Sequence, residues 1–219
     1  MPPDIGNITR VALGGIKRGL PWRKASERAH NHLGGKTAGI LGLGRIGKAV
    51  ARRAIPFDLK VICAEIEPSH DFMKAHNVTL VSQEELFKTA DIITLHTPKT
   101  PLTKNLINKN TLSLMKPTAF VINTSRGGLV HEKDLHDALV NRKIAGAALD
   151  VFEAEPPGTN PLFSLDNILL TAHTAGVDQQ SRQDMARLPA TAIVKLLAGE
   201  WPAEWVVNPQ VKEKFFARG

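Results

Sequence analysis

Thr37-Ala38-Gly39-Ile40-Leu41-Gly42-Leu43-Gly44-Arg45-Ile46-Gly47-Lys48-Ala49-Val50 joins a short apolar run to a helical pattern through Gly42, Gly44 and Gly47. In a strand-to-helix junction the first glycine allows the tight turn. The second lets phosphates approach the backbone, and the third lets helix and strand pack closely. The helix amino terminus then offers N–H groups and a partial positive charge to an anion. Three glycines alone mark only a turn, and their surroundings decide the reading. Residues 37–43 read as a buried strand, Arg45 to Ala54 as a helix, and Leu59 to Ala64 as a second strand closing on Glu65, 18 residues past Gly47. An acid at that point bonds the ribose hydroxyls of an adenosine. Its charge repels a 2′-phosphate, and Ile66-Glu67-Pro68-Ser69-His70 brings no arginine to hold one. The expected cofactor is NAD rather than NADP.

Working outward, apolar strands keep alternating with amphipathic helices, the pattern of an α/β doubly wound parallel sheet, Rossmann-like, with flanking helical arms. A short strand is expected at Val78 to Val81. A capping box of Ser82 with Glu85 opens a helix ending near Thr89. Strands follow at Asp91 to Leu95, Ala119 to Asn123, Ile144 to Val151 and Asn167 to Thr171, with helices at Asn108 to Met115 and His131 to Arg142. A last helix is drawn from Gln179 to Ala198, interrupted by Pro189, since a proline inside a helix costs about 3 kcal/mol or more unless it marks a kink. The expected organisation is a helical arm over residues 1–34, a dinucleotide-binding domain over 35–185, and a helix with a tail over 186–219.

Arg126, Glu155 and His173 all fall in loops directly after strands. In an open parallel sheet those loops share one edge, where the nicotinamide half of a cofactor lies. Each residue alone has an ordinary reading as a solvated or packing side chain. Together they suit hydride transfer. A histidine moves the alcohol proton, a glutamate favours its protonated form, and an arginine binds the carboxylate of an anionic substrate.

Composition sets the outer limits. The 219 residues are 42% hydrophobic and 22% charged, enough for one substantial core. Residues 1–60 hold 12 lysines and arginines against 3 acids, and the remainder 16 against 18. The basic part therefore surrounds the phosphate turn, which favours anionic ligands. Few aromatics interleave the charges, so no nucleic-acid partner is expected. The single cysteine, Cys63, sits in an apolar strand and reads as a small buried hydrophobe, and no disulfide framework is possible within the chain. No apolar run reaches membrane-spanning length, no leader pattern opens the sequence, and no metal site is read; a cytoplasmic location is the expectation.

The chain resembles the D-isomer-specific 2-hydroxyacid dehydrogenases from about His32 to Asn208. The motifs are Gly39-Ile40-Leu41-Gly42-Leu43-Gly44-Arg45-Ile46-Gly47, Leu95-His96-Thr97-Pro98, Ile122-Asn123-Thr124-Ser125-Arg126-Gly127-Gly128, Ala148-Leu149-Asp150-Val151-Phe152-Glu153-Ala154-Glu155-Pro156 and His173-Thr174-Ala175-Gly176. The resemblance implies that Arg126 binds the substrate's carboxylate and carbonyl. It implies that His173 is the acid/base and that Glu155 bonds it and raises its pKa. It further implies an NAD site lined by Gly42, Gly44, Arg45, Ile46, Gly47, Glu65, Thr97, Thr124, Ser125, Arg126, Asp150, His173 and Gly176, with Asp150 near the carboxamide. The implied substrates are small 2-hydroxy and 2-keto acids. A homodimer is implied through a helix over residues 7–29, although Gly14-Gly15 and Pro21 make that helix poor in isolation.

The sequence departs from the family pattern in having Ala172 where a proline usually precedes the histidine, in Pro189, and in lacking the roughly 100 residues of substrate domain that usually come first. Apolar surface including Trp201 and Trp205 is therefore expected to be exposed. Relatives that keep this fold as non-catalytic, corepressor-like NAD-binding regulators supply the competing reading. Sugar-epimerase-like enzymes need a Tyr-x-x-x-Lys pair, and the chain has no tyrosine.

Overall fold

A computed structural model describes residues 32–217, so the helix expected over residues 7–29 lies outside the described residues. The elements are β1 (Thr37–Leu41), α1 (Arg45–Ala54), β2 (Lys60–Ala64), α2 (His70–Ala75), β3 (Thr79–Leu80), α3 (Gln83–Thr89), β4 (Ile92–Leu95), α4 (Lys109–Leu114), β5 (Phe120–Asn123), α5 (Glu132–Val140), β6 (Gly146–Leu149), β7 (Ile168–Leu170), α6 (Gln179–Leu197) and α7 (Lys212–Phe216). The sheet runs in the order β3-β2-β1-β4-β5-β6-β7. The pairings from β3 through β6 are parallel, with Gly39 opposite both Ile62 and Ile93. Strand order reverses between β1 and β4, and at such a switch the loops on the carboxyl side splay apart to leave a crevice. The α/β doubly wound class read from the sequence is the architecture found.

Strands buried on both faces need apolar residues throughout, and β1 and β4 supply them: Ile40, Leu41, Ile93 and Leu95 are fully buried. Between β1, α1, β2 and α2 the core is built from Ile40, Leu43, Ala51, Val61, Cys63 and Met73. Burial, seconded by the nearby Glu65 carboxylate, pushes the Cys63 thiol up to about 11, so it packs as a neutral side chain. At the amino edge, Asp91 ties three strands together. Its carboxylate accepts the Thr37 N–H at 2.9 Å and the Lys116 ammonium at 3.0 Å, while its carbonyl accepts the Phe120 N–H at 2.9 Å.

The structure corrects several local readings. Ser82 caps α3 by accepting the Glu85 N–H at 3.1 Å, but the reciprocal capping box forms at Asn108 and Thr111 on α4. Asn108 accepts the Thr111 N–H at 3.2 Å, and Thr111 accepts the Asn108 N–H at 2.9 Å. Helix α2 has no counterpart in the sequence reading. It is six residues long and buries only Met73, too little for a 3.6-residue period to register.

The described chain divides into two compact units, one ending at Leu169 and the other beginning at Leu170. In the second, α6 is capped by Asp178, which accepts the Ser181 N–H and hydroxyl at 2.8 Å each. Helix α6 continues through Pro189 rather than breaking there. The carbonyl that loses its donor belongs to Met185, itself 73% exposed, so solvent can take the missing bond. The tryptophans are also better covered than expected. Trp201 packs on Phe215 and Phe216, and the Lys195 ammonium lies 5.1 Å from the Trp205 ring. The most exposed large apolar residues of this unit are instead Met185, Val194, Leu197 and Val207.

Candidate functional site

Gly42, directly after β1, has φ of +92°, and a side chain there would meet the His96 carbonyl at 2.7 Å. A side chain at Gly47 would collide with the Gly42 carbonyl oxygen. These two glycines are demanded by the protein itself. Gly44 is not: nothing lies within 4 Å of a side chain placed there, and its φ of −70° suits any residue. Gly44 is also the N-cap of α1, which has no side-chain cap and no acid in its first turn. Ile46, in that turn, is 64% exposed. An open, uncapped helix start beside backbone with no side chain is the cradle a pyrophosphate requires.

The acid at the end of β2 faces this turn. Glu65 Oε2 accepts the Leu43 N–H at 2.5 Å, and Oε1 accepts the N–H groups of Ile66 at 2.7 Å and Glu67 at 3.3 Å. The carboxylate is thus fixed by backbone beside the glycine turn.

Across the switch point, β4 delivers His96 and Thr97. Their Nδ1 and Oγ1 atoms are buried without a hydrogen-bond partner among the described residues, which suits a surface completed by a ligand. His96 Nε2 lies 3.0 Å from Thr94 Oγ1, and burial lowers the pKa of this imidazole.

The loop after β5 is organised by Asn123, a residue the sequence reading quoted in a motif without a role. It is fully buried; its Oδ1 accepts the Ser125 N–H and its Nδ2 donates to the Arg126 carbonyl, both at 3.0 Å. The Ser125 hydroxyl donates to the Leu95 carbonyl at 2.5 Å, fastening this loop to β4. A polar residue at the end of Phe120-Val121-Ile122 was the available signal. Arg126 is exposed, donating through Nη1 to the Ser125 carbonyl at 2.7 Å, and Thr124 is exposed beside it.

Gly127 abuts the Phe152 carbonyl so closely that no side chain fits between them. The Arg126 loop and the loop after β6 therefore meet. At the end of β6, Asp150 is buried, with its N–H on the Asn123 carbonyl at 2.9 Å. Glu155 is exposed, and its Oε1 accepts the Phe152 N–H at 3.0 Å. In the second unit, His173 is exposed with φ of +53°, and Gly176 is exposed with open space where a side chain would stand. Among the described residues no cluster of metal-ligating side chains occurs, and no helix is long and apolar enough to cross a membrane.

A glycine turn with a backbone-anchored acid at the switch point of a parallel sheet defines a dinucleotide-binding domain, and the residues present fit such a cofactor. The chain belongs to the D-isomer specific 2-hydroxyacid dehydrogenase family, matching its NAD-binding domain over residues 15–175. It is 42% identical over 198 residues to D-3-phosphoglycerate dehydrogenase of Methanocaldococcus jannaschii, covering 90% of this chain and 37% of that protein. It is 41% identical over 179 residues to glyoxylate reductase of Korarchaeum cryptofilum, covering 81% and 54%. Among solved structures, the NAD-complexed D-isomer specific 2-hydroxyacid dehydrogenase of Lactobacillus delbrueckii ssp. bulgaricus superposes with a TM-score of 0.79 at 29% identity, covering 91% of this chain and 63% of that one. The chain spans about half the length, or less, of these curated relatives.

Proposed function

We propose that this chain carries the cofactor-binding part of an NAD-dependent oxidoreductase that interconverts a D-2-hydroxy acid and its 2-keto acid. The observation that carries the reading is the contact of Gly127 with the Phe152 carbonyl, which joins the loops of Arg126 and Glu155 on the carboxyl side of the sheet. Membership of the family and the glycine turn with Glu65 support it from the cofactor side.

NAD supplies or accepts the hydride when bound. Arg126 holds the substrate carboxylate through its planar donors, which match two oxygens at once. His173 gives a proton to the keto oxygen during reduction and removes it from the alcohol during oxidation. Glu155 is the partner of that histidine in this reading. Gly42, Gly44, Arg45, Ile46 and Gly47 take the pyrophosphate, and Glu65 takes the adenosine ribose. Thr97, Thr124, Ser125, Asp150 and Gly176 complete the cofactor site. The working assembly in this reading is a homodimer, and the substrates are small 2-keto acids such as glyoxylate or hydroxypyruvate.

The test is NADH oxidation with either acid. Binding of NADH should exceed what turnover suggests, because rate needs a near-attack pose with water excluded, and a misplaced substrate costs about 100-fold. Whatever turnover is found should disappear in His173→Ala while NADH affinity persists. Turnover that survives His173→Ala contradicts the assigned proton transfer.

A further inference from the structure

Glu132, the first residue of α5, holds both ends of the loop that carries Glu155. Its Oε1 accepts the Glu153 N–H at 2.5 Å and its Oε2 accepts Asn160 Nδ2 at 2.6 Å. The tie is reciprocal at one end, since Glu153 Oε1 accepts the Glu132 N–H at 3.0 Å. At the other end Asn160 is buried, and its Oδ1 accepts the Leu162 N–H at 3.0 Å. One carboxylate thus fixes residues 153 and 160, with Glu155 between them.

The fixed end leads directly to Glu155. Glu153 follows Phe152, whose N–H is the donor to Glu155 Oε1 and whose carbonyl abuts Gly127. Holding the Glu153 N–H fixes the Phe152–Glu153 peptide, whose carbonyl backs the Arg126 loop, beside the adjoining Val151–Phe152 peptide, whose N–H holds the Glu155 carboxylate. A carboxylate is required for this, because both of its oxygens accept and both bonds are strengthened by its charge. A glutamine in its place has one acceptor, and its amide nitrogen faces a donor at the other end. The position also suits an anion, since it lies in the first turn of a helix whose dipole is positive there.

We infer that Glu132 is a positioning residue for Glu155, acting through the Glu153 backbone and Asn160. The inference rests on the reading of Glu155 as the partner of His173, and its test separates the two. Amide exchange is measured by NMR on the intact chain for wild type, Glu132→Gln, Asn160→Ala and Glu155→Gln, together with the ring signals of His173 at fixed pH. In Glu132→Gln the Phe152 and Glu153 amides should exchange about tenfold faster or more, beyond any change at the core amides of Ile93 and Val121. The His173 ring signals should shift in the same direction as in Glu155→Gln. Asn160→Ala should loosen the same amides and serves if Glu132→Gln does not fold. Exchange at Phe152 and Glu153 that rises no more than at Ile93 and Val121 overturns the inference. If Phe152 is freed but Glu155→Gln leaves His173 unmoved, the positioning stands and the pairing of Glu155 with His173 falls.

Discussion

The Glu65 carboxylate accepts the Leu43 N–H at 2.5 Å, fastening the end of β2 to the glycine turn that follows β1. In the proposed reading, one side chain therefore both shapes the phosphate cradle and presents negative charge to the adenosine ribose. Removing it should loosen the turn and relieve repulsion of a 2′-phosphate together. In Glu65→Ala the Leu43 amide should lose exchange protection, and the ratio of NADH to NADPH affinity should fall by about tenfold or more. An unchanged ratio places cofactor selectivity elsewhere.

Two glycines of the turn, Gly47 and Gly44, should separate by experiment. Gly47→Ala drives a methyl into the Gly42 carbonyl and should lower the melting temperature of the free protein. Gly44→Ala meets nothing within 4 Å, so beyond the weaker N-cap, about 1 kcal/mol, it should cost little stability while NADH binding weakens. Thermal melts with and without NADH distinguish the cases. Wild-type affinity in Gly44→Ala would mean that no ligand uses the space.

Asp91 governs stability at the opposite edge of the sheet. Burial alone would raise its pKa, but the Thr37 N–H and Lys116 outweigh that and hold the carboxyl below the usual carboxylate range. A depressed native pKa stabilises the fold above the unfolded value of about 3.9, and this contribution disappears as pH falls through the native one. Asp91→Asn should therefore cost about 1–3 kcal/mol at pH 7, and its deficit should shrink as pH falls below about 4. Urea titrations at pH 7 and below pH 4 read the difference. A deficit independent of pH would assign the loss to packing.

The sheet was legible because its signals are local and repeated. Apolar runs such as Ile92-Ile93-Thr94-Leu95 are bounded by polar loops, and glycines stand where backbone comes close. Helix α1 runs from Arg45 to Ala54, as read. The capping box at Asn108 was missed because threonine at 111 replaces the usual acid or amide, and its hydroxyl still reaches back. Asn123 and Glu132 were missed as organisers for two different reasons. Asn123 bonds Ser125 and Arg126, two and three residues ahead, a local turn masked by its place at the end of an apolar strand. Glu132 bonds Glu153 and Asn160, which are remote in sequence and meet it only in the fold, so no spacing encodes them.

Calorimetric titration of the intact chain with NADH and NADPH tests the central claim most directly, because it needs only the glycine cradle and Glu65. NADH should bind with at least about tenfold higher affinity than NADPH, a difference of about 1.4 kcal/mol. Equal or tighter binding of NADPH, or no binding of either, would contradict the account.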